Sequence, residues 1–286
     1  MVSNSKYNFS KFDNTESFVH QFLSHNISSY LASKIGPRCL SYNVVAACAT
    51  GLLSVIKGVE LLNRNIVDLV IAGSIETSKI PLIEAAFGNM GVLSKQNKTK
   101  PFSKERDGFV IGEGGAILVL KRASDHDNPK TPWISGYAYA NDASDIVAIN
   151  SDAKSIKHVI QKSILMANIK TVDYINAHGT GTSLNDEIEL KGILASFPDT
   201  SNIYLNSTKN FTGHVLGGTG SIELALSLLS MTHQKYIPST YLKNPMEAME
   251  KFSMTGNPTL SSMLSLNYGF GGHIAAAVIQ NGETGD

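Results

Sequence analysis

Short apolar runs alternate along this chain with stretches whose apolar residues recur at helical spacing. Tyr42-Asn43-Val44-Val45-Ala46-Ala47 reads as a buried strand, and Leu52, Leu53, Ile56, Val59 and Leu62 place a helix directly after it. Further strands are predicted at Val67–Gly73, Ala116–Leu120, Trp133–Tyr139, Val172–Ala177 and Leu264–Tyr268. A strand around His214 is also predicted, with a helix after it through Ile222, Leu224, Ala225, Leu228 and Leu229. Helical character is expected over Thr15–Ile35 and Ala153–Ala167. Ser124 to Pro132 is polar with two prolines and reads as a linker, dividing the chain into halves 1–123 and 124–286. Strand–helix alternation of this kind argues an α/β fold. No internal repeat is legible.

The chemistry-bearing residues fall where these strands end. Cys48 follows an apolar run and precedes a helix, so its sulfur stands at a helix N-terminus, where unpaired N–H groups and the dipole favour a thiolate. A buried cysteine with no chemistry is the bland alternative. His178 opens His178-Gly179-Thr180-Gly181-Thr182, and Lys209 precedes Gly213-His214. Leu264 to Tyr268 ends in Gly269-Phe270-Gly271-Gly272. Glycines at such places permit positive φ and close approach to the main chain. Each histidine alone would pass for a loop or core residue.

Bulk composition narrows the class. With 286 residues, 42% hydrophobic, the chain can bury a large core. A formal net charge of +0 argues against nucleic acid as the main partner. Two cysteines, Cys39 and Cys48, suggest a reduced, cytoplasmic setting rather than a disulfide scaffold. The polar start, Met1 to Ser10, offers no signal peptide, and no apolar run reaches the roughly 20 residues of a membrane span. His20, His25, His126, His158, His233 and His273 lack metal-ligand spacing, so no metal is expected.

The joint set resembles the elongating β-ketoacyl synthases with one cysteine and two histidines, over about Phe18 to Gln280. Ala47-Cys48-Ala49-Thr50-Gly51 resembles the nucleophile motif. Pro101-Phe102-Ser103 through Arg106-Asp107-Gly108-Phe109 and Gly112-Glu113-Gly114 resembles the central signature. His178 to Thr182 with Asp186 and Glu189, Lys209 with Gly213-His214, and Gly269 to Gly272 complete it. The resemblance implies a thiolase-like fold of two similar α/β halves, each a sheet covered by helices. It implies a decarboxylative Claisen condensation, with Cys48 acylated from an acyl carrier protein and malonyl carrier protein supplying the enolate. His178 and His214 would donate to the enolate oxygen as neutral imidazoles. The N–H groups of Cys48 and Phe270 would form the oxyanion hole, a donor of that kind being worth roughly 3 to 4 kcal/mol. Lys209 would pair with Glu223, and Thr180 and Thr182 would hold the phosphopantetheine arm. No cofactor is implied beyond that arm on the carrier protein, and a homodimer or heterodimer with another ketosynthase-like subunit is implied.

Two departures accompany the resemblance. The family carries a substantial segment before the nucleophile strand, whereas 47 residues precede Cys48, so the first half is expected to be incomplete. Ile274 stands where the family usually has asparagine. The alternative is therefore a non-catalytic, chain-length-determining partner subunit of a ketosynthase pair. Glu113, Asp186 and Glu189 read as scaffold. Lys95, Lys98, Lys100, Lys104 and Arg106 read as a solvated basic loop, or as a receiver for an acidic carrier protein.

Overall fold

The computed structural model describes residues 25–36, 39–123, 131–240, 242–253, 255–256 and 259–282. In chain order these form α1 (Asn26–Ile35), α2 (Thr50–Asn63), β1 (Leu69–Glu76), α3 (Pro81–Asn89), β2 (Gly114–Lys121), β3 (Trp133–Asn141) and α4 (Lys154–Met166). There follow β4 (Tyr174–Asn176), α5 (Ser183–Leu194), β5 (Tyr204–Asn206), α6 (Lys209–Thr212), α7 (Thr219–His233), β6 (Ser262–Gly269) and β7 (His273–Gln280). Single 3-10 turns at Ala47–Ala49 and Leu216–Gly218 lead into α2 and α7.

The larger sheet has five strands in the order β3-β7-β6-β4-β5. Its β3, β7 and β6 are antiparallel neighbours, while β6, β4 and β5 run parallel. Period-2 alternation sorts its side chains. Leu264, Leu266, Ile274, Ala276 and Val278 pack with Ile156, Val159 and Ile160 of α4 and Ile188, Leu190 and Ile193 of α5. Met263, Ala275, Ala277 and Ile279 pack on the opposite side with Leu52, Val55 and Ile56 of α2 and Leu224 of α7. Ala72 of β1 and Leu118 of β2 join that second core, so α2 and α7 lie sandwiched between two sheets.

The smaller sheet is the antiparallel pair β1–β2, covered by α2 and α7 on one face. Leu69, Ile71 and Ile75 share an outward face with Ile117 and Val119, and all five are exposed, Val119 by 65%. Five outward apolar residues on one sheet face are what a covering layer would bury, and among the described residues none covers it.

Other predicted elements shift locally. Tyr42–Ala47 is not a strand: among the described residues none pairs with it in a ladder, Tyr42 and Val45 face solvent, and only Ala46 is buried. No strand carries His214 either; the strand ends at Asn206, and His214 makes a lone bridge to Ile111. The 15–24 part of the expected first helix and the 124–130 part of the linker lie outside the described residues.

Candidate functional site

The sandwiched helices α2 and α7 both start at one place, and the site is built around it. Ala47 holds a positive φ of 46°, which turns the chain sharply before Cys48. The turn is closed by the Ala49 N–H donating to Ala46 O at 3.0 Å and the Ala46 N–H donating to Thr50 Oγ1 at 2.9 Å. Cys48 is buried and faces a cavity of about 210 Å³, lined also by His178, His214, Thr180, Thr182 and Phe270. Gly269 passes so near the turn that a Cβ there would lie 2.5 Å from Ala46 O and 3.1 Å from Cys48 N. Any side chain at 269 would therefore displace the nucleophile turn.

The histidine rings meet edge to face, centroids 5.4 Å apart, and His178 stacks near Tyr268 while His214 meets Phe109. Each ring is held through Nδ1. His214 Nδ1 accepts from the Leu216 N–H at 3.2 Å and lies 3.0 Å from Thr219 Oγ1. The Lys209 ammonium lies 3.3 Å from His178 Nδ1 and also donates to His178 O. A neutral imidazole that accepts at Nδ1 carries its proton on Nε2. Burial pushes both histidines well below the ordinary histidine range, and the Lys209 charge adds to the effect. Burial thus favours the neutral form of both rings, and acceptance at Nδ1 leaves the proton of that form on Nε2.

Lys209 is fully buried and donates to Glu223 Oε1 at 2.7 Å. Glu223 accepts further from Asn267 Nδ2 at 2.6 Å and Thr208 Oγ1 at 3.3 Å, so the buried charges are paired and hydrogen-bonded. Burial raises the Glu223 carboxyl, and the adjacent Lys209 opposes that shift. Thr180 and Thr182 hydroxyls lie 2.9 Å apart on the cavity wall. Cys48, His178, Lys209 and His214 are therefore gathered with Phe270, Glu223 and both threonines in one region.

Asp186 and Glu189 do more than favour a helix start. Glu189 accepts from the His178 and Gly179 N–H groups, each at 2.7 Å, and burial pushes its carboxyl up to about 8. Asp186 accepts from the Phe102 N–H at 2.8 Å and the Gly181 N–H at 3.1 Å, joining the central signature to the histidine loop. Their i, i+3 spacing on α5 was the visible sign that both face one way. Glu113 accepts from the Lys79 N–H at 3.0 Å, a loop contact. In the basic stretch, Arg106 pairs with Glu187 and Lys100 with Glu105. Asn267 and Thr219 had no sequence signal: they act through contacts that only the fold creates. Among the described residues, no His, Cys, Asp and Glu side chains group to hold a metal, and no helix is long and apolar enough to cross a membrane.

Residues 3–126 match the family described as Beta-ketoacyl synthase, N-terminal domain, and residues 132–243 the one described as Beta-ketoacyl synthase, C-terminal domain. A 3-oxoacyl-[acyl-carrier-protein] synthase 2 of Coxiella burnetii is 32% identical over 89% of this chain and 65% of its own length. The polyketide biosynthesis malonyl-ACP decarboxylase PksF of Bacillus subtilis is 32% identical over 92% of this chain and 66% of its own. A type II polyketide ketosynthase, solved in complex with its acyl carrier protein, superposes with a TM-score of 0.87 at 28% identity, covering 94% of this chain and 70% of that one. The chain spans about two thirds of the length of both curated relatives.

Proposed function

Because the chain belongs to the β-ketoacyl synthase family, with a thiolase-like fold, we propose that it catalyses decarboxylative condensation of an acyl thioester with malonyl-acyl carrier protein. Cys48 attacks the carrier thioester, a new Cys48 thioester forms and the carrier thiol leaves. The N–H groups of Cys48 and Phe270 hold the oxyanion of that step. The pantetheine arm of the malonyl carrier then lies along Thr180 and Thr182. Carbon dioxide leaves, the carbon–carbon bond's electrons pass into an enolate, and His178 and His214 donate to its oxygen through Nε2–H. The enolate carbon attacks the Cys48 thioester, the new carbon–carbon bond forms and the Cys48 thiolate is released. Lys209 and Glu223 act behind the histidines, Lys209 by occupying His178 Nδ1.

The observation that carries this reading is the matched occupation of both Nδ1 atoms beside a buried cysteine. Two neutral donors converging on one cavity suit a developing oxyanion, and a metal-free acyl transfer needs such donors. A relative named for decarboxylating malonyl carrier protein supports that half of the reaction. Residues 1–123 and 124–286 act as the two family halves, in a cytoplasmic dimer, with an acyl carrier protein as partner; the solved ketosynthase–carrier complex supports the last.

The second reading, a non-catalytic partner subunit, draws on the exposed apolar residues of β1–β2. A structural subunit has no use for Cys48 at a strained turn with two tautomer-fixed histidines. Intact-protein mass after incubation with acyl-carrier protein decides between them. An adduct absent from Cys48→Ala supports the enzyme; no adduct on folded protein, alone or with a co-purifying subunit, supports the partner.

A further inference from the structure

Glu76, the last residue of β1, is buried and reaches across to the turn that follows His214. Its Oε2 accepts from the Gly217 N–H at 3.3 Å, and its Oε1 accepts from Ser78 Oγ. The residue before Gly217 is Leu216, whose φ is +44°. A branched, bulky side chain rarely occupies that left-handed region, and it persists only where the surroundings over-determine it. Here they do. The Gly218 N–H donates to Val215 O at 2.8 Å, and Leu216 is buried against Phe109 and Ile111. At Gly218 an added Cβ would lie 3.0 Å from Gly114 O and 3.1 Å from Glu76 Cβ, so the turn is pressed onto the end of β1. The strained Leu216 is also the residue whose N–H donates to His214 Nδ1.

We infer that Glu76 is a positioning residue for His214: by holding the Gly217 N–H it keeps Leu216 left-handed, and Leu216 thereby keeps the His214 proton on Nε2. The inference deepens the condensation reading and rests on it for its kinetic consequence alone. Without the carboxylate, the buried Gly217 N–H loses its acceptor and the turn gains a reason to relax. The Leu216 N–H then leaves Nδ1, and the imidazole is free to carry its proton there. Its Nε2 would then offer a lone pair, an acceptor, where the enolate oxygen needs a donor. Cys48 stands outside this relay, so acylation is spared.

The test uses the full chain with ¹⁵N-labelled histidine, its His214 signals assigned by loss in His214→Ala. Nitrogen shifts and two-bond proton couplings at pH 7.5 report the tautomer directly. The wild type is expected as Nε2–H. Glu76→Ala should show a substantial Nδ1–H population, and Glu76→Gln, whose amide oxygen can still accept from Gly217, should return to Nε2–H. Kinetically, Glu76→Ala should load acyl groups within about twofold of wild type, with condensation kcat lowered about 10- to 100-fold and KM nearly unchanged. Glu76→Gln should recover most of the loss.

A folded Glu76→Ala that keeps the Nε2–H tautomer overturns the proposal. So does a Glu76→Gln that loses it as fully as alanine does. If Glu76→Ala does not fold, Glu76→Ala with Leu216→Gly is read instead, since glycine adopts the left-handed turn without support. Nε2–H in the double variant then supports the relay, and its loss there overturns it. The tautomer is measured whether or not the wild type condenses anything. A wild type that fails to condense while these tautomer shifts appear therefore counts against the condensation reading and not against the role of Glu76.

Discussion

At the residue scale, the burial of three ionisable groups beside one cavity makes their roles separable. Cys48→Ala should abolish the acyl adduct measured by intact-protein mass, because no other cysteine lines the cavity. His178→Ala and His214→Ala should each load normally yet condense about 10²- to 10³-fold more slowly, the usual scale for losing one fixed donor to a developing oxyanion. Equal condensation rates in those variants would end the two-donor mechanism. The same burial has a stability signature. Both histidines sit well below the ordinary 6.5 in the folded protein. As pH falls below about 6.5, the unfolded chain takes up protons that the folded chain refuses, so stability drops toward acid. Each histidine can contribute a slope of up to about 1.4 kcal/mol per pH unit there. Denaturant unfolding from pH 7 to pH 5 should therefore give a shallower loss in His178→Gln and His214→Gln than in wild type. Parallel curves would mean that these rings are not held neutral by the fold.

At the element scale, the site depends on how closely α2 and α7 begin beside one another. A Cβ on Gly51 would lie 2.4 Å from Ser221 N, and one on Gly220 would lie 2.4 Å from Leu52 N. Backbone meets backbone there, so neither clash can be relieved by turning a side chain. Gly51→Ala and Gly220→Ala should each cost about 1 to 3 kcal/mol in denaturant unfolding, with acyl loading slowed as the Cys48 turn shifts. Loss of neither would show that the helices can part freely. Little of this contact was legible in the sequence. Gly51 reads as part of a nucleophile motif while Gly220 lies just ahead of the apolar stripe that starts at Ile222, and only tertiary packing sets one against the other. The helices themselves were legible: Leu52, Ile56 and Val59 mark the buried stripe of α2, and Ile156, Val159 and Ile160 that of α4. Cys48, His178, Lys209 and His214 were singled out as strand-exit residues, and strands do lead into His178 and Lys209 but not into Cys48 or His214. The Nδ1 partners of His214 were not, since Leu216 acts through its backbone N–H and Thr219 through a side chain of no special type. The apolar run Tyr42–Ala47 misled because apolar character alone does not bury a segment: Tyr42 and Val45 face solvent and only Ala46 is buried.

At the scale of the whole molecule, the layers are unequal. The five-stranded sheet is covered by α4 and α5 on one face and by α2 and α7 on the other, whereas β1–β2 meets α2 and α7 on one face alone. Leu69, Ile117 and Val119, exposed by 57%, 45% and 65%, present with Ile71 and Ile75 a sheet face of the kind that drives association. Ile71 and Val119 are directly opposite in the ladder. Replacing them together, Ile71→Lys with Val119→Glu, sets opposite charges across the strands, an arrangement worth a few tenths of a kcal/mol, and breaks the apolar patch at its centre. Because both side chains already point away from the core, unfolding free energy should change by no more than about 1 kcal/mol. The acyl adduct on Cys48 should persist, since the altered face lies on the far side of β1–β2 from α2. Light scattering across a concentration series should show less self-association in the paired variant than in wild type. Unchanged self-association, with the fold intact, would place the adhesive surface elsewhere and leave the exposed apolar face of β1–β2 energetically silent in this chain.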